Sequence, residues 1–181
     1  MRAFLAINLP KEVQDYLEDL IFKIDKENQR VNIKWVEPEN LHLTLGFIEN
    51  IKEAALNKIK TDLESISVPE NLILTLERPG SFPNKEKPRV IKIKILDPEK
   101  KLKKIHEAVK DIFQKNGLEV DNRPFLPHIT LGRIKTASAK LRYQVETEAL
   151  SFTVKSIELI KSDLTPAGPI YSILKKFPPD F

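Results

Sequence analysis

The chain has 181 residues, of which 31% are charged, and its net charge of +4 reflects 30 basic against 26 acidic side chains. It contains no cysteine, which excludes disulfides, thiolate catalysis and cysteine-ligated zinc or iron–sulfur centres. No apolar run approaches the roughly 20 residues that cross a bilayer, and the run at residues 3–7 is too short for a signal-peptide core. We therefore expect one cytoplasmic domain over residues 1–181 that acts as a monomer and binds no membrane. The weak basic bias permits an anionic partner such as RNA.

In the first half of the chain, alternating and helical patterns of apolar residues predict three strands and two helices. Residues 2–8 alternate and are β-rich, and Pro10 suits the start of the next helix, because its missing N–H is not needed there. Residues 13–24 of that helix carry an apolar stripe at helical spacing. Further elements are predicted as strands at 33–36 and 41–48, a turn at 38–40, and a helix around 55–63.

The second half is predicted to resemble the first. A strand at 72–76 precedes a loop at 79–88 that is rich in Pro and Lys, and the strand at 90–96 alternates isoleucine with lysine, which indicates one wet face. A helix at 98–116 ends before Gly117, a residue suited to the C′ position. Strands are predicted at 129–134, 152–162 and 171–177, while 137–150 is ambiguous. This order predicts an α+β fold of two pseudo-symmetric lobes, each a mostly antiparallel sheet backed by helices, with a central groove.

Two seven-residue segments nearly coincide, and they carry two of the three histidines. One is His42-Leu-Thr-Leu-Gly-Phe-Ile48, the other is His128-Ile-Thr-Leu-Gly-Arg-Ile134, and five of the seven positions are identical. Residues i and i+2 of a strand share a face, so His42 stands beside Thr44, and His128 stands beside Thr130. If a pseudo-twofold axis relates the two halves, both His-x-Thr faces line one groove.

Two imidazoles and two hydroxyls suit the cleavage of a phosphodiester. A neutral imidazole accepts a proton from an attacking water, and a protonated one donates a proton to the leaving alkoxide. Histidine suits both roles because its unperturbed pKa lies near neutrality. The hydroxyls of Thr44 and Thr130 can donate hydrogen bonds to phosphate oxygens.

Other interpretations of the histidines predict different chemistry or none. Two histidines and a carboxylate could bind zinc, but neither segment carries an acidic residue in register, so we expect no metal and no other cofactor. A structural role is usual for a lone histidine, and we assign it to His106, at the edge of the apolar stripe of the third helix. The third interpretation is an RNA-binding module without catalysis, and the presence of both histidines and both threonines argues against it.

The two His-x-Thr-Leu segments, one in each half of the chain, resemble those of the two-histidine (2H) phosphoesterase superfamily. The match is closest to its bacterial and archaeal RNA 2′,3′-cyclic phosphodiesterases, once called 2′-5′ RNA ligases. The resemblance extends over nearly the whole chain, through residues 2–7, 37–45, 82–83, 89–91, 125–133 and 164–171. It implies hydrolysis of an RNA or nucleoside 2′,3′-cyclic phosphate to a 2′-phosphate without metal. The alternative is 2′-5′ RNA ligation, which is the same chemistry in reverse.

By this resemblance, His42, Thr44, His128 and Thr130 form the catalytic set, and Arg133 contacts phosphate. One departure is local, because residues 46–49 are Gly-Phe-Ile-Glu where the family usually has Lys-Phe-Leu-Gly. Strand alternation places Arg133 on the face opposite His128, so it reaches the groove only if the strand ends or bulges near Gly132.

Further residues are candidates for substrate binding. Phe82, Arg89 and Tyr171 are predicted to contact the RNA, and Phe82, Tyr171 and Trp35 could each stack on an unpaired base. The predicted loop at 79–88 also carries basic residues. Lys85, Lys87 and Arg89 lie in or beside it and could hold an RNA backbone.

Overall fold

The computed structural model describes residues 1–84, 87–135, 141–143, 145, 147–166 and 168–178. Its helices are α1 (Lys11–Glu27), α2 (Glu53–Leu63) and α3 (Lys101–Lys115), and a 3-10 turn spans Pro38–Asn40. The strands of the described residues are β1 (Ala3–Asn8), β2 (Ile33–Trp35), β3 (His42–Ile48), β4 (Ile73–Phe82), β5 (Val90–Leu96), β6 (His128–Ile134), β7 (Ser151–Thr153), β8 (Ile157–Leu164) and β9 (Pro169–Phe177). None of the described helices is both long and apolar enough to span a membrane.

The strands form one antiparallel sheet in the order β7-β4-β5-β6-β3-β1-β8-β9, and β2 also pairs with β6. We call β3, β1, β8 and β9 lobe A, and β6, β5, β4 and β7 lobe B. In each lobe the histidine-bearing strand, β3 or β6, pairs with β1 or β5. The lobes meet at a seam where Leu43 of β3 pairs with Ile129 of β6. The predicted α+β fold with antiparallel sheets is confirmed, and the sheets of the two lobes are continuous across this seam.

The chain crosses from lobe B to lobe A inside the segment predicted as a single strand at 152–162. β7 pairs with β4, whereas β8 pairs with β1, so the single-strand prediction is wrong. The residues that enter the large apolar core change from Phe152 and Val154 to Ile157 and Leu159, which is a change from even to odd numbers. Both halves of the segment are apolar and alternating, and the pattern therefore hides the crossing.

A second correction concerns the predicted loop at 79–88. β4 continues through Pro79 to Phe82, and its pairing with β5 shifts register between Leu76 and Pro79. A bulge leaves residues outside the ladder of hydrogen bonds, and proline is tolerated beside one because it has no N–H to donate. The strand therefore passes the proline instead of ending there.

The helix α3, which connects the two strands β5 and β6 of lobe B, packs on lobe A. Its His106 donates a hydrogen bond from Nδ1 to the carbonyl oxygen of Leu45 on β3, at a distance of 2.7 Å. Two further residues of α3, Val109 and Phe113, lie against Gly46 of the same strand. The buried residues of α3 thus cover the strand that carries His42.

The helix α1 follows β1 of lobe A, and it is bound to the segment that joins β6 to β7 in lobe B. The hydroxyl of Tyr16 donates to the carbonyl oxygen of Glu148 at 3.1 Å. The amide of Asn28, just after α1, donates to the carbonyl oxygen of Arg142 at 2.7 Å. The helices are therefore exchanged between the lobes, and a single large apolar core lies between the helices and the sheet.

Candidate active site

Both His-x-Thr segments lie at the seam between the lobes. Leu43 and Ile129, the residues between histidine and threonine in each segment, are fully buried and pair with each other. In an antiparallel pair, continuing the register by one residue in each direction places the histidine of one strand beside the threonine of the other. The neighbours across the seam are His42 with Thr130 and His128 with Thr44.

A groove with a volume of about 580 Å3 runs across this seam, and all four of these side chains line it. On the side of lobe A it is lined by Phe4, Phe47 and Tyr171. Towards β2 and the end of β6 it is lined by Trp35 and by three cationic residues, Lys34, Arg133 and Lys135. The groove thus has an aromatic side and a cationic end.

Both histidines are held in the same way by the backbone. The Nδ1 atom of His42 lies 2.7 Å from the carbonyl oxygen of Asn40, and Nδ1 of His128 lies 2.7 Å from that of Leu126. A carbonyl oxygen only accepts hydrogen bonds, so Nδ1 carries the proton in both rings. In the neutral ring Nε2 is therefore the free base, and in the imidazolium it is the free acid. Each ring thus presents the same nitrogen for proton transfer.

Aromatic rings surround His42. Phe4 of β1 stacks on the imidazole with ring centroids 4.7 Å apart and an angle of 28° between the planes. Tyr171 of β9 meets the same imidazole edge-on, with centroids 5.6 Å apart and an angle of 83°. These contacts fix the orientation of His42 from two strands of lobe A.

A bulge at the same position in each motif directs a later side chain into the groove. The pairing of β6 with β5 shifts register so that Leu131 is the extra residue, and the pairing of β3 with β1 shifts in the same way at Leu45. After the bulge, the alternation of faces changes by one residue. As a result Arg133 joins the groove-lining residues, and Phe47 occupies the equivalent position in lobe A.

Burial lowers the pKa of His42 below its ordinary value, since the half-buried ring loses hydration as the imidazolium. The hydrogen bond to the carbonyl of Asn40 partly opposes this effect, and a positive charge on His128 adds to it. The two rings are therefore electrostatically coupled across the seam.

Burial also lowers the pKa of His128, and the hydrogen bond to the carbonyl of Leu126 again opposes it. Two cations, Lys92 and Arg133, lower this pKa further. Both imidazoles are thus inclined towards the neutral form while the groove holds no anion.

Comparison with known proteins identifies the family of the chain. The sequence model described as LigT like phosphoesterase matches residues 7–92 and 94–171, which together form most of the chain. The chain belongs to the LigT-like phosphoesterase family. Membership in this family confirms the resemblance to the 2H phosphoesterases, and with it the prediction of an enzyme.

Individual relatives agree with this family assignment. An RNA 2′,3′-cyclic phosphodiesterase of Aquifex aeolicus is 32% identical over 98% of this chain and 96% of its own length. A crystal structure of a Thermus thermophilus protein superposes with a TM-score of 0.84 and 28% identity, over 97% of this chain and 96% of that one. The crystal structure of Escherichia coli LigT complexed with 3′-AMP gives a TM-score of 0.77 and 25% identity, over 97% and 95% of the two chains.

Only some of the other residues predicted to bind substrate lie in the groove. Tyr171 and Trp35 line it, and the indole Nε1 of Trp35 donates to Asp25 at 2.7 Å. Phe82 and Arg89 are exposed and do not line the groove. They lie at the two ends of the β4–β5 connection, where the backbone N–H of Arg89 donates a hydrogen bond to the carbonyl oxygen of Phe82 at 2.8 Å. Lys87 is exposed in the same connection, and Lys85 lies outside the described residues.

Sequence reasoning missed Phe4 and Phe47 as residues of the groove. Phe47 could have been found from the repeat itself, because it occupies the position of Arg133 in the first motif. Phe4 gave no such signal, since in the sequence it is one apolar residue among several in β1. Its position facing His42 depends on the register between β1 and β3.

The third histidine lies outside the groove. The ring of His106 stacks on Phe125 with centroids 4.0 Å apart and an angle of 6°, and its Nδ1 is bound to β3. These contacts join α3 to lobe A and to the segment before β6. The residues that the structure describes contain no group of three or more histidine, aspartate and glutamate side chains arranged to hold a metal ion.

Proposed function

We propose that the protein hydrolyses the 2′,3′-cyclic phosphate of an RNA end or nucleoside to a 2′-phosphate, with His42 and His128 as acid and base. The observation that carries the proposal is the pair of imidazoles at the seam, each with Nδ1 bound by a carbonyl and Nε2 free. The names of the Aquifex aeolicus relative and of the nucleotide complex of LigT support the same substrate class.

The reaction is an in-line displacement at phosphorus. The neutral histidine takes a proton from water through Nε2 while the water oxygen bonds to phosphorus. The bond between phosphorus and the 3′ oxygen breaks, and the protonated histidine donates its Nε2 proton to that oxygen. One imidazole gains a proton and the other loses one, so a proton exchange with solvent restores the starting state.

Hydrogen-bond donors at the groove stabilise the phosphorane-like charge. Thr44 and Thr130 each lie on the same face of the strand as the histidine of their motif, and their hydroxyls donate hydrogen bonds to the non-bridging phosphate oxygens. The guanidinium of Arg133 neutralises part of the phosphate charge. The nucleobase occupies the aromatic side of the groove, against Phe47 and Tyr171.

The anionic substrate also sets the protonation states. Burial lowers the pKa of both histidines, and a cyclic phosphate placed between them favours the imidazolium form. Binding therefore brings one histidine into the protonated state that the leaving group requires.

The test is to incubate the protein with a nucleoside 2′,3′-cyclic phosphate, with and without EDTA, and to identify the product isomer. We expect the 2′-phosphate alone, formed at the same rate in EDTA, since the histidines do the proton transfer. Formation of the 3′-phosphate would contradict the leaving group. Loss of activity in EDTA and its return with zinc or manganese would contradict the metal-free mechanism.

A further inference from the structure

One lysine beside the active site carries a charge that the described residues do not neutralise. Lys92 of β5 is partly buried and pairs in register with Thr130. Within the described residues no carboxylate forms an ion pair with Lys92. Its Nζ lies 5.4 Å from the centre of the Phe82 ring, and it is repelled by the charge of Lys94. Burial and Lys94 both lower the pKa of Lys92, so an anion beside it would relieve an existing repulsion.

A second cavity of about 580 Å3 lies in lobe B. It lies over the solvent face of β4 and β5, and three cations line it, Lys92, Lys94 and Arg78. Two carboxylates also line it, Glu77 and Glu148, and Glu77 pairs with Lys94 at 2.8 Å, which leaves Lys92 as the lysine without an ion pair among the described residues. Since β5 pairs directly with β6, this cavity begins one strand away from His128. Lys92 and Lys94 are two residues apart on one face of the strand, which separates them by about 7 Å.

The two lobes differ at the strand positions that Lys92 and Lys94 occupy. The pairing of β1 with β3 places Ala6 and Asn8 at the positions that Lys92 and Lys94 hold in lobe B. Ala6 is apolar, and the Asn8 amide donates a hydrogen bond to Glu158. At these two equivalent positions β5 therefore presents two cations to an anion at the seam, and β1 presents none.

The chemistry of a cyclic end allows the chain to continue in one direction only. The 2′ and 3′ oxygens are both in the cyclic phosphate, so the rest of an RNA is attached through the 5′ carbon. We propose that Lys92 and Lys94 bind the phosphate on the 5′ side of the terminal nucleotide, with the exposed ring of Phe82 stacking on the next base. This inference rests on the proposed function and makes an oligonucleotide end, instead of a mononucleotide, the preferred substrate.

The experiment compares a nucleoside 2′,3′-cyclic phosphate with di- and trinucleotides that have the same cyclic end. We expect kcat/KM to rise about tenfold from mononucleotide to dinucleotide, as one charge-assisted contact is added. The dinucleotide should also show a steeper salt dependence, by about 0.7 in the slope of log kcat/KM against log salt. In Lys92→Gln and Lys94→Gln the ratio of dinucleotide to mononucleotide kcat/KM should fall towards one, whereas Lys92→Arg should retain the gain.

Two comparisons separate this site from a general effect of charge. Lys161→Gln on β8 removes the same charge and an ion pair of 2.8 Å, the length of the Lys94–Glu77 pair. Lys161 itself lines neither cavity. It should leave the length ratio unchanged. Loss of the ratio in Lys34→Gln, with full retention in the β5 variants, would place the RNA at the other end of the groove and overturn the proposal.

The proposed function and this inference fail in distinguishable ways. If none of the three substrates is hydrolysed, the proposed function is wrong. If the mononucleotide is hydrolysed and the dinucleotide gives no gain, the cyclic phosphodiesterase remains and the second phosphate site does not exist.

Discussion

Phe47 and Arg133 occupy the same position in the two copies of the repeat, and the same bulge turns both of them into the groove. The backbone around the seam is thus symmetric, while the side chains that it directs at the substrate are not. One motif supplies a ring and the other a guanidinium. Such a pair suits a nucleotide, which has an apolar base at one end and an anionic phosphate at the other.

We expect Arg133→Gln to lower kcat/KM for a cyclic nucleotide by about 10- to 100-fold, because a charge-assisted contact to phosphate is lost. The same change should shift the pH–rate profile upwards, since Arg133 lowers the pKa of His128. A full pH–rate profile of the variant measures both effects. A lower rate with an unmoved profile would show that Arg133 acts on the substrate and not on His128.

The pH dependence of the wild type tests the two histidines. Both have a pKa below the ordinary value, so the bell-shaped profile of kcat/KM should have both limbs below about pH 6.5. The profile of kcat should lie at higher pH, because the bound phosphate favours the imidazolium. The limbs belong to the coupled pair, and single variants are needed to assign them.

His42→Ala and His128→Ala should each remove one limb and lower the rate by about 100- to 10,000-fold. The limb that is lost in each variant identifies the base and the acid. His106→Ala is the matched control, as its ring is bound to Leu45 and Phe125 outside the groove. It should keep both limbs and nearly the full rate, and a His106 variant as inactive as the others would overturn the assignment.

The threonines are tested by removing one hydroxyl at a time. Thr44→Ala and Thr130→Ala should each lower kcat by roughly 10- to 1,000-fold, as the loss of an oxyanion donor does. Thr44→Ser and Thr130→Ser should recover most of the rate, since they restore the donor. Thr153→Ala, on the exposed side of β7, serves as the control. Unchanged rates in the alanine variants would show that the threonines are strand residues only.

The glycine shared by both motifs has a packing role that thermal unfolding can measure. A Cβ on Gly46 would lie 2.8 Å from Phe113, and a Cβ on Gly132 would lie 2.7 Å from Trp35. Alanine at either position should therefore cost about 1–3 kcal/mol of stability and lower Tm by about 2–12 °C. Gly80→Ala is the control, because no heavy atom lies within 4 Å of its added Cβ. Equal Tm values for the three variants would contradict this account.

The sequence predicted the elements that have strong periodicity and the faces of the two motifs. The spacing of His42 and Thr44 was sufficient because a regular strand has only two faces. The position of Arg133 could be stated only as a condition, since a bulge depends on pairing with another strand. The Leu-Gly dipeptide that both motifs share is the only sign of the bulge in the sequence. The glycine of this dipeptide is explained by packing, against α3 in one motif and against β2 in the other.

The errors have a different origin. The break near Val154 and the passage of β4 through Pro79 both depend on which strand lies alongside, and local patterns carry no record of that neighbour. The exchange of helices between lobes is hidden for the same reason. Pattern shows that α3 has one buried face, but not that the face covers β3.

The exchange of α1 and α3 between the lobes ties the two sides of the groove together. α3 belongs by connection to lobe B and is fixed to lobe A through Leu45, while α1 is fixed in the reverse sense through Asn28. A rotation of the lobes about the seam would pull α3 away from β3 and would break the contact of α1 with the segment between β6 and β7. We therefore expect the seam not to act as a hinge and the groove to keep its width when a substrate binds.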